Sequence, residues 1–233
     1  MSLQAIVLAG GLGTRLRPAV KDLPKAMAPV AGRPFLEHLF DNLATHGFER
    51  IILATGYRAD AIRTHFGEHF GPLSIAYSEE ETPLGTGGAT WKALALAKPG
   101  PCFILNGDTW IDVDYAGMMA NHLKLKSRVT IAVREVPEVA RFGAVEVVDC
   151  HITRFHEKGP SGPGLINAGV YLLGPEIVSA YPMPPAFSLE RDFFQGRLEA
   201  LEPSAWLLEG RFIDIGVPDD LARAQILLGP PAP

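Results

Sequence analysis

Apolar runs and helical patterns alternate along the first half of the chain. Gln4–Ala9 and Pro101–Leu105 are nearly continuous apolar runs, as expected for strands buried on both faces. In Pro34–His46 the apolar residues recur once per helical turn, which predicts a helix ended by Gly47. Further strands are predicted over Arg50–Ala54 and Ser74–Tyr77, and further helices over Asp60–Phe66 and Ala89–Ala97. This order predicts an α/β fold with a doubly wound, mostly parallel sheet.

The pattern changes near Val129. Short β-rich segments with little helix between them occupy Val129–Arg134, Gly143–Val148 and Ile152–Glu157. They predict a small antiparallel β addition to the sheet. Glu190–Leu198 and Asp219–Leu228 are predicted to be helices. No linker interrupts the chain, so we expect one domain over residues 1–229 and a frayed tail at 230–233.

Composition excludes several classes of protein. The 233 residues are 47% apolar and 20% charged, with a formal net charge of −5, which is the balance of an ordinary globular protein. No long basic run is present, so we expect neither a nucleic-acid partner nor a membrane surface. The first apolar run breaks off at Gly10 and Gly11, far short of the roughly 20 residues of a membrane span. Cys102 and Cys150 have no metal-type spacing, and a cytoplasmic location is the expectation.

A glycine-rich loop comes after the first predicted strand. Gly10, Gly11 and Gly13 let the main chain approach a ligand, and free N–H groups in such a turn attract anions. The loop is no dinucleotide fingerprint, because Leu16 stands where the third glycine belongs, and the chain has no Walker A motif. Arg15 and Lys25 supply cations suited to phosphate. The alternative is a plain tight turn beside two surface cations.

Two aspartates stand in apolar surroundings. Asp108 comes directly after a buried strand, and Asp214 lies within an apolar run. An ionised carboxylate is costly to bury without a partner, and Mg²⁺ prefers one or two carboxylates together with substrate phosphates. The alternative roles are helix capping or a salt bridge at a strand end. Asp114 is better explained as the N-cap of the next helix.

The glycine loop and the residues after it resemble the signature of the sugar-1-phosphate nucleotidylyltransferases. The matching segments are Leu8–Pro18 and Leu23–Met27, and the resemblance continues through Pro83–Ala89, Asn106–Asp108, Asn167–Tyr171 and Asp214–Pro218. It therefore covers nearly the whole chain. Within that family the chain is most similar to the D-glycero-D-manno-heptose 1-phosphate guanylyltransferases, through Pro29–Leu36, Leu105–Thr109 and Phe187–Phe193.

The resemblance implies an NTP and a sugar 1-phosphate as substrates, with GTP and the heptose phosphate favoured. It implies a nucleotide half over about residues 1–110 and a sugar half over about 111–229. Arg15, Lys25 and Asp108 would be the catalytic residues, and Asp108 and Asp214 would hold Mg²⁺. The nucleotide would contact Leu8, Ala9, Gly10, Gly11, Gly13, Thr14, Glu81, Pro83, Gly85 and Thr86, with Glu81 reading guanine. The sugar phosphate would contact Asn106, Gly143, Glu157, Lys158 and Asn167.

Several alternatives stay open at this point. Thr86 could cap the helix predicted over Ala89–Ala97 instead of touching the nucleotide. Glu157 and Lys158 could form an exposed ion pair. The substrates could be mannose, glucose or N-acetylmuramate 1-phosphate with GTP, UTP or dTTP, and a non-catalytic binding module or a Rossmann oxidoreductase would share the α/β fold. The oligomeric state is undetermined by the sequence.

Overall fold

The computed structural model describes residues 3–11, 13, 16, 23–140, 143–156 and 161–229. Four predicted site residues lie outside these ranges: Thr14, Arg15, Glu157 and Lys158. The predicted tail at 230–233 also lies outside them. Within the described ranges, no helix is long and apolar enough to cross a membrane.

Fourteen strands are present in the described part of the chain. Ten of them form one sheet, in the spatial order β10-β11-β13-β9-β12-β7-β1-β4-β6-β5, while β2 pairs with β3 and β8 pairs with β14. Their bounds are β1 Leu3–Leu8, β2 Pro29–Val30, β3 Arg33–Pro34, β4 Phe48–Thr55, β5 His69–Phe70, β6 Leu73–Glu79, β7 Cys102–Asn106, β8 Thr109–Ile111, β9 Val129–Val136, β10 Ala144–Val148, β11 His151–His156, β12 Gly164–Leu173, β13 Ser204–Leu208 and β14 Phe212–Asp214.

The described part of the chain has seven α-helices. Their bounds are α1 Phe35–Thr45, α2 Ala59–Phe66, α3 Gly85–Leu94, α4 Tyr115–Leu125, α5 Ile177–Ala180, α6 Leu198–Leu201 and α7 Pro218–Leu227. Three of them, α1 to α3, lie along the chain between the parallel strands β1, β4, β6 and β7. A short 3-10 helix covers Lys25–Met27 and a π-helix covers Leu189–Gln195.

The strand directions confirm the predicted fold class. Strands β7, β1, β4 and β6 are parallel neighbours, and β9 and β13 form another parallel pair. The strand β12 runs antiparallel to both β7 and β9, so it joins the two parallel groups and leaves them pointing the same way. The antiparallel addition expected after Val129 is thus a continuation of the same sheet.

The position of strand β1 in the sheet explains why its segment is largely apolar. Ala5, Ile6 and Val7 are completely buried. Ala5 and Val7 pack in the core layer that contains α1, whereas Ile6 packs in the opposite layer, which contains α3 and the π-helix. Successive side chains of a strand point to opposite faces, so a strand covered by helices on both sides is apolar at most positions. The polar exception, Gln4, is buried and exchanges two hydrogen bonds with the main chain of Lys98, each at 2.8 Å.

Most predicted elements are present, and the main differences concern helix α3, the π-helix with α6, and strand β12. Helix α3 begins at Gly85 and has Leu84 as its N-cap, so Thr86 lies inside the helix and does not cap it. A π-helix and α6 replace the single helix predicted over Glu190–Leu198. Strand β12 is absent from the sequence-based prediction, because Asn167 and Gly169 interrupt its apolar run. A register shift against β9 between Asn167 and Tyr171 accommodates them. The predicted capping by Asp114 is confirmed, since its Oδ1 accepts from Gly117 N at 2.8 Å.

Candidate active site

Three parallel strands end at one edge of the sheet and carry the site. Leu8 at the end of β1 is in register with Ala54 of β4 on one side and with Asn106 of β7 on the other. The first glycine loop therefore leaves β1 beside the residues that come after β4 and β7. Ligands of open α/β sheets bind at the carboxyl ends of the strands, which is the location of this edge.

Lys25, Asp108 and Asp214 come together at this edge and form what we call the Asp–Lys cluster. The Lys25 ammonium contacts Asp108 Oδ2 and lies 3.8 Å from Asp214 Oδ1. Backbone pairing explains how the two distant aspartates meet. Asp214 is in register with Thr109 in the β14–β8 pair, and Ile215 N donates to the carbonyl oxygen of Asp108 at 3.0 Å.

The charged groups of the Asp–Lys cluster act on one another. Burial and the negative charge of Asp108 raise the pKa of the Asp214 carboxyl, and the Lys25 charge opposes that shift. Gly216 N also donates to Asp214 Oδ1 at 2.6 Å. Two carboxylates facing one positive group are a donor set that suits Mg²⁺ when phosphate oxygens complete the coordination. Within the described ranges, no group of three or more Asp, Glu, His and Cys side chains is arranged to hold a metal ion.

A cavity of about 760 Å³, which we call the nucleotide cavity, opens beside the first glycine loop. Its lining includes these residues expected at the nucleotide: Leu8, Gly10, Gly11, Gly13, Glu81, Pro83, Gly85 and Thr86. Ala9 is buried behind them, and its N–H donates to Ala54 O at 2.8 Å. A Cβ added at Gly11 would meet no atom within 4 Å, so this glycine faces open space.

Tyr57 and Glu80 also line the nucleotide cavity, and neither is among the predicted site residues. Glu80 Oε2 accepts from Leu84 N at 2.6 Å and so holds the turn that precedes α3. Glu80 stands in a run of three glutamates, and composition alone does not distinguish it from Glu81. The order along the chain gives a signal for Tyr57, since it comes soon after the end of a predicted parallel strand.

The second glycine-rich loop is packed rather than open. Gly87 N and Gly88 N donate to the carbonyl oxygen of Phe187 at 3.0 and 3.4 Å. A Cβ at Gly87 would overlap the Phe187 ring, and one at Gly88 would overlap the carbonyl oxygen of Pro185. We call this contact between residues 85–88 and residues 185–187 the glycine joint. Its glycines allow the segment before the π-helix to lie directly on α3.

A second cavity of about 430 Å³, the sugar cavity, lies on the other side of the Asp–Lys cluster. Asn106, Gly143 and Asn167, three of the residues expected at the sugar phosphate, line it. Asn106 also lines the nucleotide cavity, while Asp108 faces the nucleotide cavity and Asp214 faces the sugar cavity. The two aspartates thus stand at the border between the cavities. Glu157 and Lys158 come directly after His156, a lining residue at the end of β11.

Sequence reasoning also missed Tyr171 and Glu190, which line the sugar cavity. Both lie in segments that carry the resemblance, Asn167–Tyr171 and Phe187–Phe193. A tyrosine within an apolar strand is equally expected in a core, and a glutamate at a helix start is equally expected on the surface. In the structure Tyr171 is both a buried core residue and part of the lining of the sugar cavity, so its sequence context gives no sign of the second role.

Two cavities that border a lysine and two aspartates, beside a glycine-rich loop, are the arrangement expected for transfer between two phosphate-bearing substrates. Such transfer depends on alignment and on neutralising phosphate charge. The comparison with known families agrees with this class. The chain belongs to the nucleotidyl transferase family, whose sequence profile matches residues 4–228.

Two curated relatives match over nearly the full length of both chains. The D-glycero-alpha-D-manno-heptose 1-phosphate guanylyltransferase of Aneurinibacillus thermoaerophilus is 40% identical over 96% of this chain and 97% of its own. The enzyme of the same description from Campylobacter jejuni is 39% identical over 94% of this chain and 96% of its own. HddC from Yersinia pseudotuberculosis, solved in complex with GMP-PN, is 36% identical with a TM-score of 0.84, covering 96% of this chain and 98% of that one.

Proposed function

We propose that this protein transfers the guanylyl group of GTP to the phosphate of D-glycero-D-manno-heptose 1-phosphate, giving the GDP-linked heptose and pyrophosphate. The observation that carries the proposal is the Asp–Lys cluster at the border of two cavities. The full-length similarity to guanylyltransferases of this sugar supports the choice of substrates. In this proposal residues 1–229 act as one domain, with a nucleotide half over about 1–110 and a sugar half over about 111–229. A cytoplasmic location stays a prediction.

The reaction needs no activated side-chain nucleophile, because the sugar 1-phosphate itself supplies a phosphate oxygen. That oxygen attacks the α-phosphorus of GTP in line, its bond to phosphorus forms, and the bond to the departing pyrophosphate breaks. Arg15 holds the β- and γ-phosphates and offsets the charge that develops on the leaving group. Lys25 orients the α-phosphate or the incoming sugar phosphate. The support for Lys25 is its ammonium position between Asp108 and Asp214.

Asp108 and Asp214 would hold Mg²⁺, which when bound neutralises phosphate charge and polarises phosphoryl oxygens. The fit rests on two observations. Both carboxylates face the same ammonium group. Burial and the neighbouring Asp108 charge also raise the pKa of Asp214, so this pair gains from an additional positive charge when it is ionised.

The remaining residues bind the two substrates in this proposal. The first glycine loop, from Leu8 and Ala9 through Gly13 and Thr14, surrounds the triphosphate. Glu81 accepts hydrogen bonds from guanine N1–H and the 2-amino group, while Pro83, Gly85 and Thr86 contact the base. Gly143, Asn167 and Glu157 bind the sugar hydroxyls, Lys158 binds the sugar phosphate, and Asn106 lies between the substrates.

A substrate panel tests the proposal. Purified protein with MgCl₂ is given each of GTP, ATP, UTP, CTP and dTTP together with heptose, mannose or glucose 1-phosphate, and pyrophosphate release is measured. We expect the highest kcat/KM for GTP with the heptose phosphate, and no release when EDTA removes Mg²⁺. The absence of release with every pair would contradict the transferase proposal.

Mannose 1-phosphate is the second candidate acceptor. The mannose-1-phosphate guanylyltransferase of Mycobacterium tuberculosis is 33% identical over 96% of this chain, although only 64% of that longer chain is covered. In the panel, a higher kcat/KM for mannose 1-phosphate than for the heptose phosphate would favour this candidate.

A further inference from the structure

Glu190 connects the two cavities by hydrogen bonds from its two carboxylate oxygens. Thr86 Oγ1 donates to Glu190 Oε2 at 2.7 Å, and the Tyr171 hydroxyl donates to Glu190 Oε1 at 3.3 Å. Thr86 lines the nucleotide cavity, whereas Tyr171 and Glu190 line the sugar cavity. One carboxylate thus accepts a hydrogen bond from each side of the site.

The nucleotide side of this connection is held in a fixed orientation. Leu189 N donates to Thr86 Oγ1 at 2.9 Å, so the Thr86 hydroxyl accepts one hydrogen bond while it donates to Glu190. Ser188 Oγ adds a further hydrogen bond to Glu190 Oε2 at 3.1 Å. Glu190 lies in the π-helix, a rare conformation that is frequent at functional sites, and the glycine joint attaches the preceding segment to α3.

The sugar side continues from Tyr171 to Asn167. Burial, and then the negative charge of Glu190, raise the pKa of Tyr171 well above its usual value, so its hydroxyl stays protonated and donates. The same hydroxyl accepts from Asn167 Nδ2 at 3.0 Å, and Asn167 Oδ1 accepts from Gly169 N at 3.0 Å. The orientation of Asn167, a proposed sugar contact, therefore depends on the tyrosine that Glu190 holds.

We propose that Glu190 is a positioning residue that couples the nucleotide and sugar cavities. Its hydrogen bonds keep Thr86, on the nucleotide side, and Asn167, a proposed sugar contact, at a fixed position relative to each other. This inference rests on the proposed function for the identity of the two substrates. A coupling free energy between two sites acts in both directions. If Glu190 carries this coupling, we expect a change at Thr86, on the nucleotide side, to weaken binding of the sugar phosphate.

The first test is Glu190→Gln, which keeps the side-chain volume and removes the charge. At saturating GTP we expect the KM for heptose 1-phosphate to rise about tenfold, the scale of losing a hydrogen bond to an ionised group. The Kd for GTP alone and the melting temperature should change little. Glu199→Gln, on the exposed surface of α6, is the matched control and should resemble the wild type.

The second test uses Thr86→Val and Thr86→Ser, which remove and keep the hydroxyl. At saturating GTP, Thr86→Val should raise the KM for the sugar phosphate more than Thr86→Ser does. Its effect should add little to that of Glu190→Gln in the double variant, because both changes break the same connection. The Thr86 pair also decides the question if Glu190→Gln does not fold.

The outcomes separate the two proposals. A wild-type protein that releases no pyrophosphate overturns the proposed function. An active wild type whose sugar-phosphate KM is unmoved by Glu190→Gln and Thr86→Val, or whose two effects simply add, overturns the coupling alone. A Glu190→Gln protein with a lower melting temperature and an unchanged KM also overturns the coupling, since that result describes a purely structural residue.

Discussion

The two glycine-rich loops have similar compositions and opposite surroundings. Gly10, Gly11 and Gly13 of the first loop line the nucleotide cavity, and Gly11 faces open space. In the second loop, Gly87 and Gly88 are packed beneath Phe187 and Pro185 in the glycine joint. We expect glycine to be needed in the first loop to leave space for a ligand, whereas in the second loop it leaves space for the protein itself.

This difference shows why a glycine-rich motif does not by itself identify a binding loop. The absence of a side chain permits a close approach, but the approaching group can be a phosphate or another part of the chain. The two cases predict opposite responses to the same substitution: lost ligand binding with intact stability, or lost stability. Three changes test the comparison, beginning with the largest expected effect.

Asp108→Asn tests the chemistry that the first loop serves. Turnover should fall by about 10²–10³-fold, the usual cost of removing one preorganised charge contact in a transfer site. The fold should persist, because the hydrogen bond from Ile215 N to the Asp108 carbonyl oxygen does not involve the side chain. Pyrophosphate release and a thermal melt measure the two effects. Asp149→Asn, on an exposed hairpin turn, is the control, and full activity of Asp108→Asn with Mg²⁺ would contradict the metal assignment.

Gly87→Ala tests the packed loop. Alanine has the higher helix propensity, so propensity alone predicts a small stabilisation of α3. Overlap with the Phe187 ring should dominate and lower the free energy of unfolding by about 1–3 kcal/mol, as overpacked sites do. Urea denaturation measures the change, and the double variant Gly87→Ala/Phe187→Leu should recover part of it. Wild-type stability of the single variant would mean that the joint does not need glycine.

Gly11→Ala makes the matched change in the open loop. No atom lies within 4 Å of the added Cβ, and the backbone of Gly11 is outside the left-handed region, so the free energy of unfolding should be unchanged. The new methyl group points into the nucleotide cavity, and we expect the KM for GTP to rise about tenfold, equivalent to about 1.4 kcal/mol. A loss of stability like that of Gly87→Ala would remove the contrast between the loops, as would an unchanged KM.

Much of the fold could be predicted because the periodicity of apolar residues along the sequence matches the faces that are buried in the structure. Strand β1 and helix α1 have patterns that match their buried faces, and tertiary contacts leave these assignments unchanged. Strand β12 and the π-helix could not be predicted in this way. Asn167 and Gly169 disturb the apolar run of β12 and are absorbed by its register shift, while the π-helix depends on contacts with Thr86 and α3.

The site residues likewise fall into two groups, those that the sequence pattern reveals and those that it does not. Three charged residues stand out in the sequence, Lys25, Asp108 and Asp214, because a charged group beside an apolar strand is costly to bury without a partner. The fold brings these three residues together. Tyr171 and Glu190 carry no such signal, since a phenol in an apolar strand and a glutamate in a helical turn are ordinary residues. Their importance comes from facing each other across residues distant in sequence.

The reversed direction of β12 has a consequence for how acceptor preference can change between related enzymes. A strand that runs against its neighbours brings its beginning, rather than its end, to the catalytic edge, so Asn167 lies beside residues contributed by β10 and β11. In the described structure, many of the residues that line the sugar cavity, the proposed acceptor pocket, therefore come from one stretch of the sequence, residues 143–171. The lining of the nucleotide cavity, the proposed donor pocket, comes instead from several separate segments between Leu8 and Asp108. If the sugar cavity binds the acceptor as proposed, we expect exchange of residues 143–171 alone to change about half of its lining and to leave the lining of the nucleotide cavity in place.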